Sequence, residues 1–230
     1  MATKFFNTLG TATTLVGIIA TAGVANAASL TQTANTNFAS TNIINAPLSI
    51  QQFNSSLGTL TSVQITFTGD IAGDAAFENR SANPDTITVN LGSQLGLKLN
   101  NQSLFTLNPT NSYSYQVASY DGTRDFGGSS GKTLTGLTAT QSNTQTFTNS
   151  QFLQSFIGTS NLSFLFSALA NSVVTGSGNI SSEVDTFARA NLQVTYNYNE
   201  PQSVVEPSAV IGLGLFAGIT VLSQRKKKLA

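Results

Sequence analysis

From residue 184 to residue 198 every even position is apolar, small or threonine (Val184, Thr186, Ala188, Ala190, Leu192, Val194, Tyr196, Tyr198), and every odd position except Phe187 is polar. One face of a strand repeats every two residues and one face of a helix every 3.6, so this alternation fits a long half-buried strand and no helix. The same period recurs in Ile87, Val89, Leu91, Leu95, Leu97 and Leu99, interleaved with Thr88, Asn90, Gln94 and Lys98. It recurs in Val63, Ile65 and Phe67, in Tyr113, Tyr115 and Val117, and in Leu162, Phe164 and Phe166. Clusters of Asn, Gly and Ser separate these runs, and one wet face per strand argues against a parallel sheet buried on both sides. The expectation is an all-β fold, an antiparallel β-sandwich of jelly-roll-like or related form, with one helical turn at 150–157 (SQFLQSFI). No repeat of fixed period stands out, and the distinct aromatic strands favour a globular sandwich over a solenoid or stalk.

Composition then removes most familiar chemistries. The chain has no His, no Cys and no Trp, and only 9% of its residues are charged, where about a quarter is usual. Without His or Cys there is no Ser-His-Asp triad, thiol nucleophile, imidazole or thiolate metal ligand, or disulfide.

The two ends differ from the middle. Residues 1–27 carry Lys4, an apolar stretch over 15–20 (LVGIIA) and then Ala25-Asn26-Ala27 before Ala28. A short positive region, an apolar core too short to span a bilayer and an A-x-A site are the parts of a secretory signal peptide; the alternative is a frayed N-terminal helix. At the other end, residues 208–222 (SAVIGLGLFAGITVL) are uncharged and mostly apolar, and Arg225, Lys226, Lys227 and Lys228 follow. An apolar run closed by cations reads as a single transmembrane helix with its basic stop on the cytoplasmic side, which leaves the middle outside. Fifteen helical residues rise about 22 Å against a hydrocarbon core of about 30 Å, so the span must thin the bilayer or draw in its flanks, with the lysines snorkelling. The alternative is a buried C-terminal helix.

Just before this run stand Val205, Glu206 and Pro207. A Glu-Pro motif, a small-residue-rich apolar helix and a terminal basic cluster together resemble the PEP-CTERM sorting signal of bacterial exported proteins. The resemblance implies handling by signal peptidase and by an exosortase-type membrane protease, then transfer to the cell surface or release. Glu206 and Pro207 match the second and third letters of the motif, and Val205 replaces the usual first Pro. The division is thus a signal peptide over 1–27, a β-sandwich domain over 28–203 and a sorting or anchor segment over 204–230.

Residues 28–203 hold five basic side chains (Arg80, Lys98, Arg124, Lys132, Arg189) and nine acidic ones, a formal charge of −4. Nucleic acid needs clustered Lys and Arg, so it is not expected as a partner. The stretch 56–63 (SLGTLTSV), Phe156-Ile157-Gly158-Thr159, Gly176-Ser177-Gly178-Asn179 and Val194-Thr195-Tyr196-Asn197-Tyr198 resemble the choice-of-anchor E domain from about Ala28 to Glu200. That family of exported bacterial proteins, common in cyanobacteria, joins a β-rich domain to varied anchors and implies no biochemical activity.

Three constellations invite chemistry. Gly-Ser-Ser-Gly-Lys-Thr at 128–133 ends like a phosphate-binding loop, but the position that requires the first Gly is Phe126, and no strand-then-helix context is expected. Asp121 and Asp125 offer two carboxylates for Ca²⁺, fewer than such an ion needs, and Asp70, Asp74, Glu78 and Asp85 are spaced too loosely for a loop site. Glu183 and Asp185 share one strand face, a geometry that glycoside hydrolysis admits, although ordinary solvation beside Arg189 accounts for them too. The expectation is therefore no catalytic residue, no cofactor and no metal. What remains is an exported cell-envelope or extracellular-matrix protein with a structural or interaction role, whose partners are a polysaccharide or copies of itself. The alternatives are a carbohydrate-binding module using Tyr113, Tyr115, Tyr120 or Phe126, and a carboxylate glycoside hydrolase.

Overall fold

A computed structural model of the chain describes residues 15–20 and 27–201. The strands are β1 (Leu15–Ala20), β2 (Ala27–Asn35), β3 (Ala39–Ser40), β4 (Ile43–Gln51), β5 (Thr59–Asn79), β6 (Asp85–Leu99), β7 (Gln102–Leu107), β8 (Thr110–Val117), β9 (Gly131–Phe147), β10 (Asn161–Ala170), β11 (Val173–Thr175) and β12 (Ile180–Asn199). One short helix, α1 (Ser150–Gln154), and a 3₁₀ turn at Ser55–Leu57 complete the described elements. The all-β expectation holds, and every alternating run falls inside a strand.

The strands form two antiparallel sheets. The first runs β1-β2-β12-β5-β9, with β3 also beside β12. The second runs β11-β6-β10-β4, with β7 and β8 pairing successive stretches of β6. β12 and β5 are paired along their whole length, from Ile180 opposite Asn79 to Asn199 opposite Thr59. The even residues from Thr186 to Tyr198 are buried, as their alternation requires. They meet Ile87, Val89, Leu91, Leu95, Leu97 and Leu99 of β6, Leu48 and Ile50 of β4, and Phe164 and Phe166 of β10 in one apolar core.

Leucines of the facing sheet pack directly onto β5 where it carries glycine. A Cβ at Gly69 would stand 2.1 Å from Leu95 Cδ1, and one at Gly73 would stand 2.6 Å from Leu91 Cδ1. These glycines make room for leucines of the facing sheet, so the pattern that reads as a break in the alternation is a packing device. On β9, Gly136 has φ +71° and sits at the register shift opposite Gly73–Ala75, a bulge that an L side chain would strain.

Ala25, Val205, Glu206, Pro207, the apolar run at 208–222 and the Arg225, Lys226, Lys227 and Lys228 cluster lie outside the described residues. Among the described residues no helix is long and apolar enough to cross a membrane. Residues 15–20, within the expected leader, lie antiparallel to β2 with Ala20 opposite Ala28.

Candidate functional site

The acidic groups suggested by the sequence are spread through the fold in structural roles. The Arg189 Nε donates to Asp70 at 2.8 Å while the Thr140 hydroxyl donates to the same carboxylate at 2.7 Å. Asp74 accepts the Gly136 N–H at the bulge. Glu183 and Asp185 are exposed on the outer face of β12, and Asp185 stands directly across from Asp74. This is an exposed strand face on which like charges stand opposite one another.

The 118–131 loop is pinned to the sandwich. Asp121 and Asp125 each accept a backbone N–H two residues on, from Thr123 and Gly127, which is how Asp commonly builds a turn. The Ala118 N–H donates to Ser129 O, Tyr120 N–H to Ser81 O, and Gly131 N–H to Gly127 O. Gly131, Lys132 and Thr133 open β9 instead of a helix, and the Lys132 ammonium lies 5.0 Å over the Tyr115 ring. The backbone cradle of a phosphate loop is not formed.

Beneath this loop Glu78, Asn79 and Ser130 are fully buried. The Asn79 amide donates to Asn83 O and Ala118 O, tying two loops to the end of β5. The Ser130 hydroxyl donates to Glu78 Oε1, while Oε2 has no partner among the described residues. At the same end Asp85 accepts from the Ser177 hydroxyl and from the N–H groups of Ser177, Thr86 and Gly178, and these bonds, the hydroxyl's first, hold its carboxyl below the usual value. Among the described residues no three acidic side chains converge as a metal site.

The aromatic residues named from the sequence, Tyr113, Tyr115, Tyr120 and Phe126, are all half-buried. Tyr113 and Tyr115 are half-buried against the core, the Tyr113 hydroxyl is bonded to Thr138 O, and Phe126 packs under the Arg124 guanidinium. An apolar groove lies at the opposite end of the sandwich. It is about 550 Å³ and is lined by Leu99, Asn100, Gln102, Phe147, Asn149, Gln151, Phe152 and Ser155. It forms because the Asn100-Asn101 turn, both residues with positive φ, projects beside α1. The Asn149 side chain caps α1 by accepting from the Gln151 and Phe152 N–H groups. Phe147 stacks on Phe152 at 4.2 Å, Phe152 touches Phe156, and Phe156 reaches Phe164 and Tyr196 in the core. Burial pushes the Tyr196 phenol far above its usual pKa, and its hydroxyl donates to Gln51 O.

Sequence reasoning found α1 but not the groove. The signal was present as Asn100-Asn101, a turn pair, and as Phe147 and Phe152 on either side of the Asn149 cap. Bringing these together requires the β5–β9 and β6–β7 pairings, which alternation alone does not supply.

The fold and site thus define the class: a two-sheet antiparallel β-sandwich with a polar loop end and an aromatic end. No family model matches the chain, and no curated protein matches it. Among solved structures, one titled "Structure of infectious bursal disease virus Gx strain" aligns with 12% identity over 88% of this chain and 50% of that one, at a TM-score of 0.13. A Gt-strain structure of the same virus aligns with 12% identity over 99% and 52%, at a TM-score of 0.11. The chain spans about half the length of those chains.

Proposed function

We propose that this is an exported envelope or matrix protein whose domain has a structural or interaction role instead of a catalytic one. The observation that carries the reading is where the carboxylates are used. Asp70, Asp74, Asp85, Asp121 and Asp125 each hold a strand, bulge or turn together, and the exposed Glu183–Asp185 pair stands on an open face. The outer surface is dressed with Asn and Gln and with Thr and Ser, whose hydroxyl pairs bridge neighbouring strands, as Thr66 with Thr144 and Thr68 with Ser142. Such a surface suits a protein that lies among hydrated polymers or copies of itself.

In this reading signal peptidase cuts after Ala27 and an exosortase-type protease acts near Val205, Glu206 and Pro207, with residues 208–222 as the transient membrane span. Removal of residues 1–27 takes β1 away and leaves β2 as a free edge with exposed backbone donors and acceptors, a template for pairing with another copy. The test is a Glu206→Ala, Pro207→Ala double variant in the native host, followed by fractionation. Accumulation of the full-length chain in the membrane fraction is expected, and an unchanged distribution would remove the sorting motif from the account.

A further inference from the structure

We propose that the groove between the Asn100–Asn101 turn and α1 binds a neutral sugar segment of a polysaccharide. This goes beyond the export reading and stands without it, because it rests on the groove alone.

The chemistry of the lining selects the ligand class. None of the residues that line the groove carries an ionisable group, so no cation is present to meet a phosphate, a sulfate or a uronic acid. Its apolar wall is Phe147 and Phe152, both half-buried against the core and stacked on one another at 4.2 Å. A flat aromatic surface suits the C–H face of a pyranose ring, which is apolar on that side and polar at its rim. Around the wall stand Asn100, Gln102 and Gln151, exposed carboxamides whose side chains make no hydrogen bond to any described residue. Each offers an acceptor and two donors side by side, the pairing that adjacent sugar hydroxyls require. A concave, mostly apolar site with a few unengaged polar groups is the usual form of a small-ligand pocket.

The wall is also fixed before any ligand arrives. Asn149 sets the first turn of α1, the Ser155 hydroxyl donates to Phe152 O, and Phe156, fully buried, backs Phe152 at 5.1 Å. A site held by packing and capping loses less conformational entropy on binding than a loop would.

The experiment is isothermal titration of the full chain, kept in a sugar-free polyoxyethylene detergent, with neutral hexasaccharides of β-1,4-glucan, α-1,4-glucan and β-1,4-mannan. A hexamer of galacturonic acid serves as the acidic probe. At least one neutral hexamer is expected to bind, with an affinity insensitive to salt. The Gln102→Ala, Gln151→Ala double variant is expected to weaken it about tenfold, two hydrogen bonds' worth. That variant removes no hydrogen bond among the described residues, so its unfolding midpoint is expected to stay at the parent value. Phe152→Ala is expected to abolish binding, with the glutamine pair as the control for any loss of folding. The proposal is overturned if no neutral hexamer binds, if the glutamine variant binds as tightly as the parent, or if the acidic hexamer binds best.

Discussion

The two ends of the sandwich are closed by different physics. At one end the strands stop against buried polar groups: Glu78, Asn79 and Ser130 lie out of solvent, and their hydrogen bonds stitch the 79–83 turn and the 118–131 loop together. At the other end the strands stop against rings, from Phe147 through Phe152 and Phe156 to Tyr196 and Phe53. Polar closure is directional and depends on each partner being present, whereas aromatic closure depends on volume and shape. The first end spends its side-chain groups on itself. The second leaves carboxamides unengaged around an apolar wall, which is why the candidate site falls there and not in the loop with the more suggestive sequence.

This contrast can be broken at several points. Phe156→Ala empties a fully buried position that touches three other rings, and about 3–5 kcal/mol of stability is expected to go, read as a fall in the midpoint of urea unfolding. Asn79→Ala leaves Asn83 O and Ala118 O without their donor and Ser81 N–H without its acceptor. A loss of about 2–3 kcal/mol is expected. The two variants differ in kind as well as size: limited proteolysis should cut Asn79→Ala selectively within 118–131, while Phe156→Ala shows no selective cut before the whole domain unfolds.

The polar end should also carry an acid dependence that the aromatic end lacks. Asp85 is held below its ordinary value of 3.8 by the Ser177 hydroxyl and three backbone N–H groups. A depressed carboxyl contributes stability above the unfolded value, and loses it as pH falls below that value and through the lower folded one. Asp85→Asn is therefore expected to lower the unfolding midpoint at neutral pH and to flatten its decline below about pH 4. Comparison of midpoints at pH 7 and pH 3 checks both. An unchanged acid limb would mean the Ser177 contacts do not bind the charged form more tightly. The smallest effect belongs to neither end: Arg189, half exposed, pairs with Asp70 and covers the Phe38 ring at 4.6 Å, and Arg189→Ala should cost no more than about 1 kcal/mol.

The sheet interior was legible in the sequence because burial on one face imposes a period of two, and β12 and β6 obey it almost without exception. The continuation of β5 past Phe67 was not legible. Gly69, Asp70, Gly73 and Asp74 resemble a loop in one dimension, yet the glycines admit Leu95 and Leu91 and the acids bond across strands to Arg189, Thr140 and Gly136. β9 was hidden for a related reason. From Thr138 to Thr146 it is mostly Thr, Ser, Asn and Gln, and only Leu134, Leu137 and Ala139 are buried, with Phe147 half-buried at its end. The candidate groove depends on which turns share an end, a property of strand pairing that no local pattern encodes.

Export of this sandwich with processing at both ends, as proposed above, is read out by intact-mass spectrometry of the native protein from separated membrane and extracellular fractions. A released form that begins at Ala28 and ends near Pro207 is expected. A single membrane-bound form that ends at Ala230 would contradict it and make the protein a simple tethered domain.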